Sequence, residues 1–171
     1  SAQVEISERV KDILRYLMIG NWQSEAKQQH QNFAERQYQK IKRLVNILLD
    51  FSGCPASMWL LCLMYVCFLI NHTSSPRIND QLPISYVTGQ THNISMVLRF
   101  HWWEAVYYKD DDYAFPSESV EEKGRFVGIA EHVGHYMTFK ILSDRTKRVV
   151  CRSRFRKAED YVLPNKRLDD M

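Results

Sequence analysis

Apolar and polar positions recur with two periods along this 171-residue chain, helical in the first half and strand-like in the second. Val10, Ile13, Leu14 and Leu17 keep i, i+3, i+4, i+7 spacing and predict a first helix, with Ser7 placed to cap it. Residues 18–22 are short and apolar around Gly20, which fits a brief strand or turn, and the Gln-rich stretch 23–31 reads as a loop. The segment 31–50 (QNFAERQYQKIKRLVNILLD) predicts the helix that organises the rest. Its apolar stripe is Ala34, Tyr38, Ile41, Val45 and Leu48. Asn32 is a suitable N-cap, and the opposite face carries Glu35, Gln39, Lys42, Arg43 and Asn46. That face has two readings. A carboxylate followed by amide and cationic groups suits a metal ion and phosphates, while Asn32 with Glu35 suits a capping box, the commoner of the two arrangements.

The run 54–70 (CPASMWLLCLMYVCFLI) holds no charged residue. A membrane span needs about 20 apolar residues. This run is shorter, contains Pro55 and Ser57 and lacks anchoring residues on both flanks, so a buried core helix is expected. Residues 73–80 are turn-rich, and 83–89 predict one or two helical turns closed by Gly89. From 97 onward the period changes. Residues 97–109, 125–130, 135–142 and 147–155 read as strands, with turns at 131–134 and 143–146. Short strands without intervening helices predict a small antiparallel barrel, so the class is α+β with its boundary near 73–95.

With 45% hydrophobic and 25% charged residues the chain is globular in composition, and its net charge of +3 excludes little. The distribution says more: Arg145, Lys147, Arg148, Arg152, Arg154, Arg156 and Lys157 occur without one intervening acid. Such a strip suits a phosphate backbone or an acidic partner. Cys54, Cys62, Cys67 and Cys151 show no CxxC pairing, and three of them lie in one apolar run, which favours a reducing compartment. No signal- or transit-like pattern opens the sequence, and a fragment of a longer polypeptide is expected.

Asn32-Phe33-Ala34-Glu35-Arg36, after a Gln-rich loop and before YQKIKRLVNILLD, resembles copia-type retrotransposon integrases. In that family an Asn-x-Ala-Glu motif opens the helix bearing the third acidic residue of an Asp, Asp, Glu catalytic set. PASMWLLCLMYVCFLINHTSSP resembles the following helix, LPISYVTGQTHNIS the next segment, and KGRFVGIAEHVGHYMTFKILSDRTKRVVCRSRF the SH3-like barrel with its Gly-x-Phe-x-Gly opening. The likeness spans nearly all of 1–157; Phe33 departs from the Gly or Pro usual there. It implies a partial RNase H-like core over 1–72, a connector over 73–95, an SH3-like antiparallel β-barrel over 96–160 and a tail over 161–171. The two catalytic Asp would lie upstream, leaving this chain inactive alone.

Strand transfer is an in-line attack on a phosphodiester, with charge growing on the attacking and leaving oxygens. Two Mg²⁺ (or Mn²⁺) ions held by carboxylates stabilise both. The resemblance assigns Glu35 as a catalytic metal ligand, and Gln39, Lys42 and Arg43, on its face, as contacts to DNA phosphates. A solvated helix face is the alternative for those three. Arg152, Arg154 and Arg156 alternate along the last predicted strand and, with Lys147, form a candidate DNA contact; a charged edge strand that discourages aggregation is the alternative. The implied partners are element-end and target DNA in a homo-oligomer, without a membrane. The implied location is the nucleus within an integration complex and otherwise the cytoplasm. A non-catalytic nucleic-acid- or chromatin-binding remnant is the rival reading.

Other groups carry less. Phe100, Trp102, Trp103, Tyr107 and Tyr108 suit a core better than a ligand cage. His132 and His135 lack partner cysteines for zinc, and Asp110, Asp111 and Asp112 read as a solvated loop. The sequons at Asn71 and Asn93 have no meaning without secretion.

Overall fold

The computed structural model describes residues 8–18, 32–109, 119–133, 137–159 and 164–169. The chain divides into two compact units, Ser1–Lys40 and Ile41–Met171. The expected segments 18–22 (from 19), 23–31, Asp110–Asp112 and His135 lie outside the described residues.

In the first unit, helix α1 (Glu8–Tyr16) forms over the expected stripe. Val10 and Leu14 are half-buried, while Ile13 and Leu17 are exposed. Helix α2 (Phe33–Ser52) begins here. The Asn32 carboxamide accepts hydrogen bonds from the Ala34 and Glu35 amides at 3.0 and 3.4 Å, satisfying N–H groups that a helix start leaves without partners.

In the second unit α2 continues with Val45 buried and Ile41, Leu44, Leu48 and Leu49 half-buried. It ends where Gly53 takes a left-handed φ of +64°, a conformation a Cβ would strain. A single 3-10 turn (Ala56–Met58) leads into helix α3 (Trp59–Asn71). Cys62, Tyr65, Val66 and Phe68 of α3 are buried, but Trp59, Leu60 and Met64 each remain at least half exposed. The core helix expected from the charge-free run therefore buries one face only. Among the described residues no helix is long and apolar enough to cross a membrane. A second 3-10 turn (Pro76–Ile78) and helix α4 (Pro83–Thr88) follow, the latter closed by Gly89 at φ +70° as expected.

Five strands come next: β1 (Ala105–Lys109), β2 (Glu121–Ile129), β3 (Phe139–Ser143), β4 (Val149–Arg152) and β5 (Phe155–Lys157). A last helical turn, α5, spans Lys166–Asp169. The strands form one antiparallel sheet in the order β4-β3-β2-β1-β5. Two corrections to the expected strands follow. The run 97–109 is extended only from Ala105, because a tight turn at 101–104 interrupts it. The run 147–155 is not one strand: it breaks at Ser153-Arg154, and its halves pair with different neighbours, β4 with β3 and β5 with β1.

That break dictates curvature. β4 and β5 occupy opposite edges of the sheet, yet Ser153-Arg154 is all that joins them. Three peptide links reach at most about 11 Å, whereas the edges of a flat five-stranded sheet stand about 19 Å apart. The sheet must curl. Two glycines of β2 make that possible. A Cβ at Gly124 would lie 2.7 Å from both Ile141 Cγ2 and the Leu142 carbonyl oxygen. Gly128, at φ +135°, sits where the β2–β3 pairing shifts register past Phe126.

The concave side is aromatic. Phe100 stacks on Phe155 at 4.2 Å, with Phe126 and Phe139 around them. Phe126 and Phe139 have no exposed surface, and each such side chain contributes about 1.5–3 kcal/mol through removal from water. Tyr65 of α3 stacks on Trp102 at 5.3 Å and meets the Phe126 ring edge-on at 5.6 Å. One hydrophobic core therefore runs from Val45 through α3 into the sheet.

Candidate nucleic-acid interface

Glu35 lies in the first turn of α2, half-buried. Its Oε1 accepts a 2.8 Å hydrogen bond from the Gln39 side chain one helical turn on. The Asn32 side chain caps the Ala34 and Glu35 amides, while the Glu35 carboxylate is met by Gln39. Further along α2, Lys42 and Arg43 are exposed. Among the described residues there is no group of three or more His, Cys, Asp or Glu side chains able to hold a metal ion.

The basic strip 145–157 looks different folded. Arg145 forms an ion pair with Glu122, whose carboxylate also accepts from the Tyr108 hydroxyl at 2.5 Å. Arg156 grips Glu121 with two hydrogen bonds, Nε to Oε1 at 2.9 Å and Nη2 to Oε2 at 2.8 Å, and lies over the Tyr107 ring. Asn165 adds a 2.9 Å bond to the same carboxylate. The Arg156 guanidinium beside it holds the Glu121 carboxyl below the usual carboxylate range, against the opposing pull of burial. Lys157 pairs with Glu104 at 2.8 Å. Arg152 donates to the carbonyl oxygens of Lys109 and Cys151.

Among the described residues of the strip, the exposed cations that no ion pair matches are Lys147, Arg148 and Arg154. Lys147 and Arg148 belong to the turn between β3 and β4. There the Lys147 amide donates to Ser143 O at 3.0 Å, and Lys147 takes a left-handed φ of 54°. Arg154 occupies the β4–β5 link at the other end of β4. The residues Lys147, Arg152, Arg154 and Arg156 thus do not form one strand face: two are in β4 and β5, one is in a turn and one is in a link.

Phe100, Trp102, Tyr107 and Tyr108 are buried, which is the core placement expected of them. Burial pushes the Cys62 thiol up to about 11 and the Tyr65 hydroxyl up to about 12, so both stay neutral at physiological pH. Arg148 is the exposed cation that strand alternation overlooked. The neutralising acids, Glu104, Glu121 and Glu122, are 23 to 53 residues from the cations they meet and left no local signal. No protein-family model matches the sequence, and no curated protein matches it.

Proposed function

We propose that this chain is a segment of a copia-type retrotransposon integrase and that its sheet carries a nucleic-acid-binding surface. The observation that supports binding most directly is the charge left after internal pairing. Lys147 and Arg148 face solvent at one end of edge strand β4 and Arg154 at its other end, while Arg145, Arg156 and Lys157 are matched by acids. Contacts of this kind go to phosphates and are indifferent to sequence. Support for the family comes from Gly124-x-Phe126-x-Gly128. Both glycines meet a requirement of the curled sheet, and the phenylalanine is central to its core. In this reading the curled sheet is an SH3-like barrel and the helices before it are the C-terminal part of an RNase H-like core.

Mg²⁺ or Mn²⁺ would supply charge neutralisation in strand transfer, with Glu35 as one ligand. The described residues alone do not fit a two-metal centre, since Glu35 belongs to no group of three or more possible metal ligands among them. No chemical step is assigned to them. In the parent protein Gln39, Lys42 and Arg43 would extend the DNA contact, and the assembly would act as a homo-oligomer in the nucleus.

Fluorescence anisotropy with a labelled duplex, read across salt concentrations, tests binding. Log affinity should fall linearly with log salt, and replacing Lys147, Arg148 and Arg154 together by Ala should reduce the slope by about 2–3. Absent or salt-independent binding sinks the proposal. For the integrase half, DNA joining by the protein extended upstream should vanish on Glu35→Gln. Joining at the parental rate would leave only the non-catalytic binding remnant.

A further inference from the structure

Two adjacent tryptophans have opposite fates. Trp102 is buried under Tyr65, whereas Trp103 is only half-buried and takes a left-handed φ of 65°. A bulky side chain in that conformation costs about 1–2 kcal/mol, which glycine would avoid. The turn enforces it. The Trp103 amide donates to Phe126 O at 2.9 Å, and the Phe126 amide returns a 2.9 Å bond to Glu104 O. The Glu104 carboxylate accepts from the His101 amide at 2.8 Å and pairs with Lys157.

Held this way, the indole carries the Arg125 guanidinium 5.9 Å from its ring centroid, and Arg125 Nη1 donates to the Trp103 carbonyl at 3.4 Å. Arg125 stands on β2 between β1 and β3, so its root is rigid. A flat cation braced on an aromatic ring is a surface on which an unpaired base can stack.

We propose that Trp103 and Arg125 form a stacking platform for one unpaired base of a single-stranded nucleic acid, the base lying on the guanidinium. The proposal rests on the nucleic-acid reading above and adds a strand preference to it. Duplex DNA keeps its bases stacked on one another and cannot use the platform.

The test compares the whole chain on a fluorescein-labelled 20-nucleotide oligothymidylate and on a duplex of equal length. Trp103→Gly removes the ring and suits the left-handed turn; Arg125→Lys keeps the charge but loses the plane. Trp103→Gly should weaken oligothymidylate binding about five- to a hundredfold, and Arg125→Lys several-fold. The salt slope and duplex affinity should stay parental. If Trp103→Gly melts early, Arg125→Lys decides alone. Parental affinity for the oligonucleotide, or an equal loss on the duplex, overturns the platform. A parent protein that binds neither probe overturns the nucleic-acid reading itself.

Discussion

Helix α2 and the sheet both carry rows of cations, and folding treats the two rows differently. On the helix, Lys42 and Arg43 remain exposed, and the Glu35 carboxylate is met by Gln39, four residues away. On the sheet, Arg145, Arg156 and Lys157 are met by acids 23, 35 and 53 residues distant, so much of the apparent charge is spent internally. A helix row keeps its sequence meaning because its neighbours are local. A strand row does not, because pairing brings distant strands within about 5 Å.

The sharpest test of that contrast is the core beneath the sheet. Phe126→Ala should lower unfolding free energy by about 3–5 kcal/mol in a denaturant titration, whereas Lys42→Ala on the helix should change it by under about 0.5 kcal/mol. Equal effects would mean that the sheet is not the stable centre.

Next comes the Glu121 pair. Glu121→Gln removes the charge that meets the Arg156 guanidinium and should cost about 1–2 kcal/mol, less than a fully buried pair because both side chains keep some solvent contact. The sign with pH is determined by the lowered carboxyl. A group whose folded value lies below its unfolded one adds stability above the ordinary carboxylate range, and that stability is lost as pH falls through the range to the folded value. Thermal melts at falling pH should show the parent losing more stability than Glu121→Gln. Parallel losses would break the assignment.

Asn32→Ala removes the α2 cap and should destabilise the first turns by about 1 kcal/mol, read as faster amide exchange at Ala34 and Glu35. The smallest effect belongs to Lys147→Ala with Arg148→Ala. Melting should be unchanged, since both side chains face solvent, while the salt slope of DNA binding falls by about 2. A drop in melting temperature there would mean that the turn cations are structural.

Cysteine reactivity separates the regions in one further way. Burial pushes the Cys54 and Cys62 thiols up, so timed alkylation near neutral pH should label the half-buried Cys67 and Cys151 first. Faster labelling of Cys62 would contradict its burial beneath α2.

Local rules made much of the helical part legible. The Asn32 cap, the Val45 stripe, Pro83 at the start of α4 and Gly89 after it each act within one helical turn. The strand expected at 125–130 falls in β2, while of the one expected at 135–142 only the part from Phe139 is strand, 137–138 lying outside it. The break at Ser153-Arg154 was not readable, because Arg152 to Arg156 alternates as well as any strand. Only the pairing of β5 with β1 reveals that the chain crosses from one sheet edge to the other. Helix α3 illustrates the same limit. Its charge-free run announced burial, yet which face is covered depends on β2, some 60 residues later.

By itself, then, the sequence determined where α2 starts and stops and that an antiparallel β segment follows the helices; it placed Pro55 in the first turn of the next helix, whereas α3 begins at Trp59 after a 3-10 turn. The helix ends follow from contacts made within a few residues, and the strands from apolar alternation. The tertiary structure alone decided which cations survive as a surface, how the sheet curls, and that Trp102 is buried while Trp103 keeps part of its surface in solvent. Each of those depends on strand register and on carboxylates from elsewhere in the chain, and register is set by what the whole core can bury.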